Sequence, residues 1–328
     1  MSEILELLEA IRRLLRADDV LLLCHKNPDG DTIGSAAALY HALKKLGKNV
    51  ALLCGDPIPT RYNYMGFETF NSQFTPGYVV AVDVASIQLF GDCQEPWCSQ
   101  VDLCIDHHSS NSGYADAMYL DGSAAATAEI VYEMLCSMQI EVTPQIADCL
   151  YTGLATDTGC FLYSNTTAKT HRTAADLIED GARVEDLNAQ LFESKTPGRM
   201  AIEKVALENL EYHFDGRCAL MFLTREEIAA SGVNLSELED LTGLPRKIEG
   251  VEVGITLRQL PGASYKISVR TAKGVDACAI ARRLGGGGHS RAAGCELEGN
   301  LENAKAAILA EVEKELNKLD EAPKEDGQ

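Results

Sequence analysis

Apolar residues open the chain at helical spacing: Ile4, Leu5, Leu7, Leu8, Ile11, Leu14 and Leu15 share one face, which predicts a helix over 4–15. The texture then changes to short, wholly apolar runs. Val20–Cys24 reads as a buried strand, because a loop containing Pro28 and Gly30 closes it. An alanine-rich helix over 33–46 ends at Gly47, and Val50–Cys54 reads as a second strand. Strand, helix, strand in that order is the βαβ signature of a parallel sheet.

The pattern continues with strands at Tyr78–Val82, 101–105 and 117–119, and helices over 123–138, 144–155, 167–179 and 184–192. Pro197 and Gly198 interrupt it, so a linker is expected over 194–205, with 194–199 as its centre. Beyond it, strands at 212–214, 218–224, 251–259 and 265–271 precede a short helix over 276–284 and a run of four glycines, 285–288. A strand at 292–297 and a helix over 301–319 close the pattern, and 320–328 reads as a polar, frayed tail. The expected architecture is an α/β parallel-sheet domain with flanking helices over 1–193, followed by a smaller α+β domain over 206–319.

Charge divides the same way. Residues 1–195 carry 12 Lys/Arg and 27 Asp/Glu, whereas 196–328 carry 17 and 22, giving −15 and −5 of the total −20. A protein gripping long nucleic acid needs a basic footprint, so the balance argues against that class and against a basic membrane-surface module. It leaves small anionic substrates open where cations supply the positive charge. Between Arg246 and Leu297 nine basic residues face four acidic ones, a local island suited to a phosphate. No run reaches the ~18 apolar residues of a membrane span, and the charged N-terminal segment has no signal-peptide core, so a cytoplasmic location is expected. The 11 cysteines are scattered through apolar stretches as reduced, small hydrophobes, with Cys93 and Cys98 only a weak zinc signal.

The candidate chemistry sits where an open parallel sheet binds ligands, beyond the carboxyl ends of its strands. His25, Asp29 and Asp31 follow the first strand, Asp83 follows 78–82, Asp106, His107 and His108 follow 101–105, and Asp157 follows the 144–155 helix. Turn chemistry accounts for Asp29 and Asp31 alone but not for His25 beside them. Five carboxylates in one cleft repel one another unless cations neutralise them, which predicts two divalent ions rather than one. Histidine and aspartate donors without thiolate suit Mn²⁺ or Mg²⁺, with Zn²⁺ or Fe²⁺ less natural, and of these Mn²⁺ is the expected ion. In the basic island, glycines 285–288 admit backbone N–H groups close to a phosphate, with His289 adding a donor.

His25-Lys-Asn-Pro-Asp29-Gly-Asp31, Val82-Asp83, Asp106-His107-His108 and Ala155-Thr-Asp157 resemble, in order and spacing, the four motifs of the DHH phosphoesterase superfamily. Gly285-Gly-Gly-Gly-His289-Ser-Arg-Ala-Ala-Gly294 resembles the signature of its associated C-terminal domain, and the compact chain is similar to the NrnA-like branch. The resemblance implies one metal held by His25, Asp29 and Asp83, and a second held by Asp31, Asp83, His107 and Asp157, with Asp83 shared. Asp106 would orient a histidine and His108 would face the scissile phosphate. Arg270, Gly287, Gly288, His289 and Arg291 would contact the nucleotide, with the active site in the cleft between domains.

The implied activity is hydrolysis of short oligoribonucleotides or dinucleotides to mononucleotides, and of 3′-phosphoadenosine-5′-phosphate to AMP. A phosphodiesterase acting on c-di-AMP or pApA is the alternative within enzymes. A nucleotide- or nucleic-acid-binding module that keeps its metals without catalysis is the alternative outside them. Aromatic residues make up 6% of the chain, too few for a single-strand binder that stacks many bases, which favours a short substrate. The sequence leaves the oligomeric state open, a homodimer included.

Overall fold

The structure, a computed structural model, describes residues 2–71, 73–91, 95–272 and 274–321. It separates into two compact units, Met1–Ser194 and Lys195–Gln328.

In the first unit, strands β1 (Glu3–Ile4), β2 (Val20–Cys24), β3 (Val50–Cys54), β4 (Tyr78–Val82), β5 (Leu103–Asp106) and β6 (Ala117–Leu120) form one sheet in the order β1-β6-β5-β4-β2-β3. Every pairing in it is parallel. Such a sheet must be covered on both faces, and the strand sequences show how. Leu22, Cys24, Val80, Val82 and Ile105 enter the larger core, while Leu21, Leu23, Val79, Ala81 and Cys104 enter a smaller one with Phe90 and Cys98. The alternation is the two-residue period of a strand, with both phases apolar.

Helices α1 (Leu7–Arg16), α2 (Gly30–Lys45), α3 (Thr127–Ser137), α4 (Pro144–Asp157), α5 (Ala168–Glu179) and α6 (Val184–Asn188) complete the unit. A Cβ on Gly34 of α2 would lie 2.3 Å from the Cys149 carbonyl oxygen of α4, so the two helices meet backbone to backbone. That closeness brings Asp31, at the start of α2, beside the last turns of α4.

The second unit contains helices α7 (Pro197–Glu208), α8 (Arg225–Ser231), α9 (Ala277–Arg283) and α10 (Leu301–Glu321). Its strands are β7 (Leu210–His213), β8 (Cys218–Leu223), β9 (Val253–Leu260), β10 (Ser264–Thr271), β11 (Gly287–His289) and β12 (Ala292–Glu298), in the order β11-β12-β10-β9-β8-β7. Only the β8–β9 pairing is parallel. Ile255, Leu257, Ile267 and Val269 pack against Ile280 of α9 and Ile308 and Val312 of α10. Met221 and Leu223 pack instead with Ile202 and Ala206 of α7.

Several sequence expectations need correction. Glu3–Ile4 is a short strand rather than the first helical turn, and α2 begins at Gly30 because the Asp29 carboxylate caps its N-terminus, accepting the Asp31 and Thr32 N–H groups. α3 starts at Thr127, four residues later than expected, and 189–193 winds as a π-helical turn after α6. The expected linker is largely helix: Thr196 caps α7 and Pro197 occupies its first turn, where a missing N–H costs nothing. The four-glycine run is part strand, and residues 320 and 321 still belong to α10, where the Asp320 carboxylate accepts Arg217 Nη1 at 2.8 Å. Cys93, Lys273 and 322–328 lie outside the described residues. Among those described, no helix is long and apolar enough to cross a membrane.

Candidate metal centre

Strand β2 has β3 on one side and β4 on the other, so the chain reverses its direction of travel across the sheet between β2 and β4. Loops leaving that switch point diverge and open a crevice at the carboxyl edge. His25, Asp29 and Asp31 leave β2 there, and Asp83 leaves β4. Asp83 is buried and adopts a left-handed backbone, φ +61°, a conformation that costs a non-glycine residue of order 1–3 kcal/mol. Its N–H donates to the Ile105 carbonyl of β5 at 2.9 Å, which holds the strained turn in place.

Three sets of donor atoms converge within 4.8 Å: His25 with Asp29 and Asp83, Asp31 with His107 and Asp157, and Asp83 with His107 and His108. His25 Nδ1 lies 2.8 Å from the Lys26 carbonyl, which fixes the proton on that nitrogen and leaves the Nε2 lone pair facing Asp29 at 3.5 Å and Asp83 at 3.9 Å. His107 Nδ1 is held at 3.2 Å by the Ala124 carbonyl. Its Nε2 is buried without a hydrogen-bond partner among the described residues, 3.7 Å from Asp83 Oδ1 and 3.6 Å from Asp157 Oδ2. A buried imidazole lone pair facing carboxylates at distances too long for hydrogen bonds fits a shared cation.

Asp31 is anchored by the N-terminus of α3, accepting the Thr127 N–H at 2.7 Å and the Ala128 N–H at 2.9 Å, with Ser35 Oγ donating at 3.0 Å. Thr127 Oγ1 donates to Asp83 Oδ1 at 2.8 Å, so one residue supports both carboxylates. Asn165 Nδ2 reaches the Asp157 carbonyl at 3.1 Å and its carboxylate at 3.5 Å. Thr127 and Asn165 carried no sequence signal, because a threonine after three alanines and an asparagine in a polar loop look like ordinary cap and turn residues.

Asp106 is fully buried and plays a different part. Its Oδ1 accepts the His107 and His108 backbone N–H groups and His108 Nδ1–H, the last at 2.8 Å, while Oδ2 accepts Asn111 Nδ2 at 2.6 Å. Burial opposes ionisation of Asp106, but these bonds and the His108 charge outweigh it and hold the carboxyl below its ordinary range. The same bond raises the His108 imidazole. His108 therefore presents a half-exposed ring whose Nδ1 is taken by Asp106 and whose charged form that bond favours.

The carboxylates facing the donor sets show the opposite strain. Burial, then the charges of Asp31 and Asp29, push Asp157 up to about 8. Burial and the charges of Asp31, Asp29 and Asp106 lift Asp83 well above the carboxylate range. Like charges at this density call for cations.

In the second unit, Arg270 of β10, Ala292 of β12 and His289 of β11 occupy one cross-strand row, which sets Arg270 and His289 about 10 Å apart at the backbone. Arg291 sits in the exposed turn between β11 and β12. Most of the glycine run has structural causes. Gly285 (φ +79°) follows the C-terminus of α9, and a Cβ on Gly286 would lie 2.1 Å from the Gly294 oxygen. On Gly288 (φ +141°) it would lie 2.6 Å from the Ala292 oxygen. Gly287 alone is exposed with nothing within 4 Å of its Cβ direction, φ outside the left-handed range, and so no packing reason to be glycine.

Residues 19–154 match the DHH family, N-terminal domain, and 219–318 match the DHHA1 domain. The chain is 33% identical to the bifunctional oligoribonuclease and PAP phosphatase NrnA of Thermus thermophilus, over 95% of each chain. It is 28% identical to the protein of the same name from Bacillus subtilis, over 88% of this chain and 92% of that one. An exopolyphosphatase-related protein from Bacteroides fragilis superposes with a TM-score of 0.86 at 23% identity, covering 95% of this chain and 98% of that one.

Proposed function

The chain belongs to the DHH family of phosphoesterases with a C-terminal DHHA1 domain, and from that premise we propose that it hydrolyses short oligoribonucleotides to mononucleotides and 3′-phosphoadenosine-5′-phosphate to AMP. The NrnA relatives are named for both activities and align along nearly the whole chain. The observation that carries the reading is Asp83, a buried carboxylate on a strained turn that belongs to two of the converging donor sets.

His25, Asp29 and Asp83 would hold one divalent ion, and Asp31, Asp83, His107 and Asp157 the other. Mn²⁺ is the ion best suited to this all-oxygen and imidazole set, with Mg²⁺ as the alternative. Such ions supply charge neutralisation and Lewis acidity toward a phosphoryl group. The Asp31 and Asp83 carboxylates that would hold them are themselves fixed by the α3 N-terminus and Thr127 Oγ1. Asp106 holds the proton on His108 Nδ1 and favours the charged form of the ring, in which Nε2–H would be the donor offered to a phosphoryl or leaving oxygen. Arg270, Gly287, Gly288, His289 and Arg291 are assigned to the nucleotide, with Gly287 the position free to admit a ligand against the backbone.

Side-by-side kcat/KM on pApA, short RNA, 3′-phosphoadenosine-5′-phosphate and c-di-AMP with Mn²⁺ tests the reading. Turnover of the first three above c-di-AMP is expected. Preference for c-di-AMP points to a cyclic-dinucleotide phosphodiesterase, and metal-dependent binding of all four without turnover points to a binding module.

A further inference from the structure

After Asp157 and Thr158 the backbone takes three successive left-handed residues, Gly159 (φ +56°), Cys160 (φ +55°) and Phe161 (φ +65°). Two of them carry a Cβ, so the turn is strained and must be held by its surroundings. Thr158 Oγ1 donates to the Leu154 carbonyl at 2.7 Å and accepts the Phe161 N–H at 3.1 Å. The Thr158 carbonyl accepts the N–H groups of Leu162 and Tyr163, both at 3.0 Å, and Cys160 N–H reaches the Ala155 carbonyl at 2.7 Å. The Phe161 ring turns inward and stacks on His171 at 5.3 Å between centroids.

The loop is thus rigid on its inner side and apolar on its outer side. Leu162 is 84% exposed and Tyr163 61% exposed. The Tyr163 ring lies flat on Gly159, since a Cβ there would come within 2.6 Å of three ring atoms. One ring face is therefore backed by the main chain two residues from Asp157, at most about 7 Å along it, which is the scale of a single nucleotide. The strained turn gives Tyr163 no role in the core. Trp97, by contrast, is packed against Phe70 and is not displayed in this way.

We propose that Tyr163, with Leu162 beside it, is the stacking platform for the nucleobase of the nucleotide whose phosphate is cleaved, and so a specificity-determining residue of the site. The inference rests on the phosphoesterase reading above. A flat, pre-fixed ring accepts any base face without hydrogen-bond readout, so it selects nucleotides over bare sugar phosphates and does not rank the bases.

The test compares 3′-phosphoadenosine-5′-phosphate with ribose 3,5-bisphosphate, which lacks the base, using wild type, Tyr163→Ala and Tyr163→Phe with Mn²⁺. One stacked base is worth roughly five- to 150-fold in affinity, so Tyr163→Ala should lower the preference for the nucleotide over the base-free substrate within that range, mainly through KM. Tyr163→Phe should restore it. An unchanged preference in Tyr163→Ala, or an equal loss on both substrates, overturns the platform. Calorimetric binding of AMP against ribose 5-phosphate gives the readout independent of turnover. A wild type that hydrolyses neither substrate defeats the phosphoesterase reading, whereas equal binding of the two ligands by wild type defeats the platform.

Discussion

Gly153 of α4 leaves the space that the Asp31 carboxylate fills: a Cβ at 153 would lie 2.8 Å from Asp31 Oδ1 and 2.8 Å from the Ala128 Cβ. Neither neighbour can retreat, because Asp31 is pinned by two α3 amides and Ala128 is part of that helix turn. Gly153→Ala should therefore turn the carboxylate without touching any proposed ligand. The expected result is a fall of about 10–100-fold in metal affinity and activity, the range for residues that orient ligands, with the chain still folded. Metal titration followed by circular dichroism checks both parts, and full metal affinity in this variant would remove Asp31 from the centre.

Asp106 bonds to His108 and belongs to none of the three converging donor sets, so on the proposed reading it would act through His108 and not as a metal ligand. Asp106→Asn should lower kcat about 10–100-fold while bound metal stays the same. The bond from Asp106 raises His108, so its loss should also move the alkaline limb of the pH–rate profile to lower pH. A profile that falls in height without shifting would place Asp106 in a purely structural part.

Metal-free stability should depend on pH in a set direction. Asp157, pushed up to about 8, and Asp83, lifted well above the carboxylate range by burial and the charges of Asp31, Asp29 and Asp106, keep protons in the fold that the unfolded chain releases near pH 4. Between about pH 4 and 8 the native state binds more protons than the unfolded one, so the metal-free protein loses stability as pH rises through that window. Divalent ions held by these carboxylates would replace those protons. The gain in Tm on adding Mn²⁺ should be larger at pH 8 than at pH 6, and equal gains in thermal scans at both pH values would contradict the assignment of these carboxylates as ligands.

The glycine run separates into positions with a backbone or packing cause and one, Gly287, without. Gly288→Ala forces a Cβ against the Ala292 oxygen at φ +141° and should destabilise the second unit by about 1–3 kcal/mol. Gly287→Ala meets nothing and should fold with an unchanged Tm while raising KM for nucleotides. Denaturant unfolding and steady-state kinetics on the pair distinguish the two; a stability loss at Gly287 equal to that at Gly288 would leave the run without a recognition role.

Strands whose two faces are both apolar were legible to the residue, as at Val20–Cys24, Val50–Cys54 and Tyr78–Val82, because burial on both sides leaves no polar position to blur their ends. β1 was not, since two exposed residues paired only to β6 carry no periodicity. Pro197 reads as an interruption from the sequence, yet at the first turn of a helix it favours the start. The histidines and aspartates of the centre announce themselves by type and by position at strand ends. Their supports do not: Thr127 and Gly153 matter only through neighbours far away in sequence, while Asn111 and Asn165, close in sequence to Asp106 and Asp157, look like ordinary turn asparagines.

The backbone at Asp83 has an evolutionary consequence. Glycine would relieve its left-handed strain and asparagine would tolerate it while removing a repelling charge, so two single substitutions at this position should make the metal-free protein more robust and useless as a phosphoesterase. Selection for activity must therefore be continuous to keep the aspartate. In a lineage released from that selection, decay at position 83 would be rewarded, and a natural sequence with Gly or Asn there would mark an enzyme that has become something else.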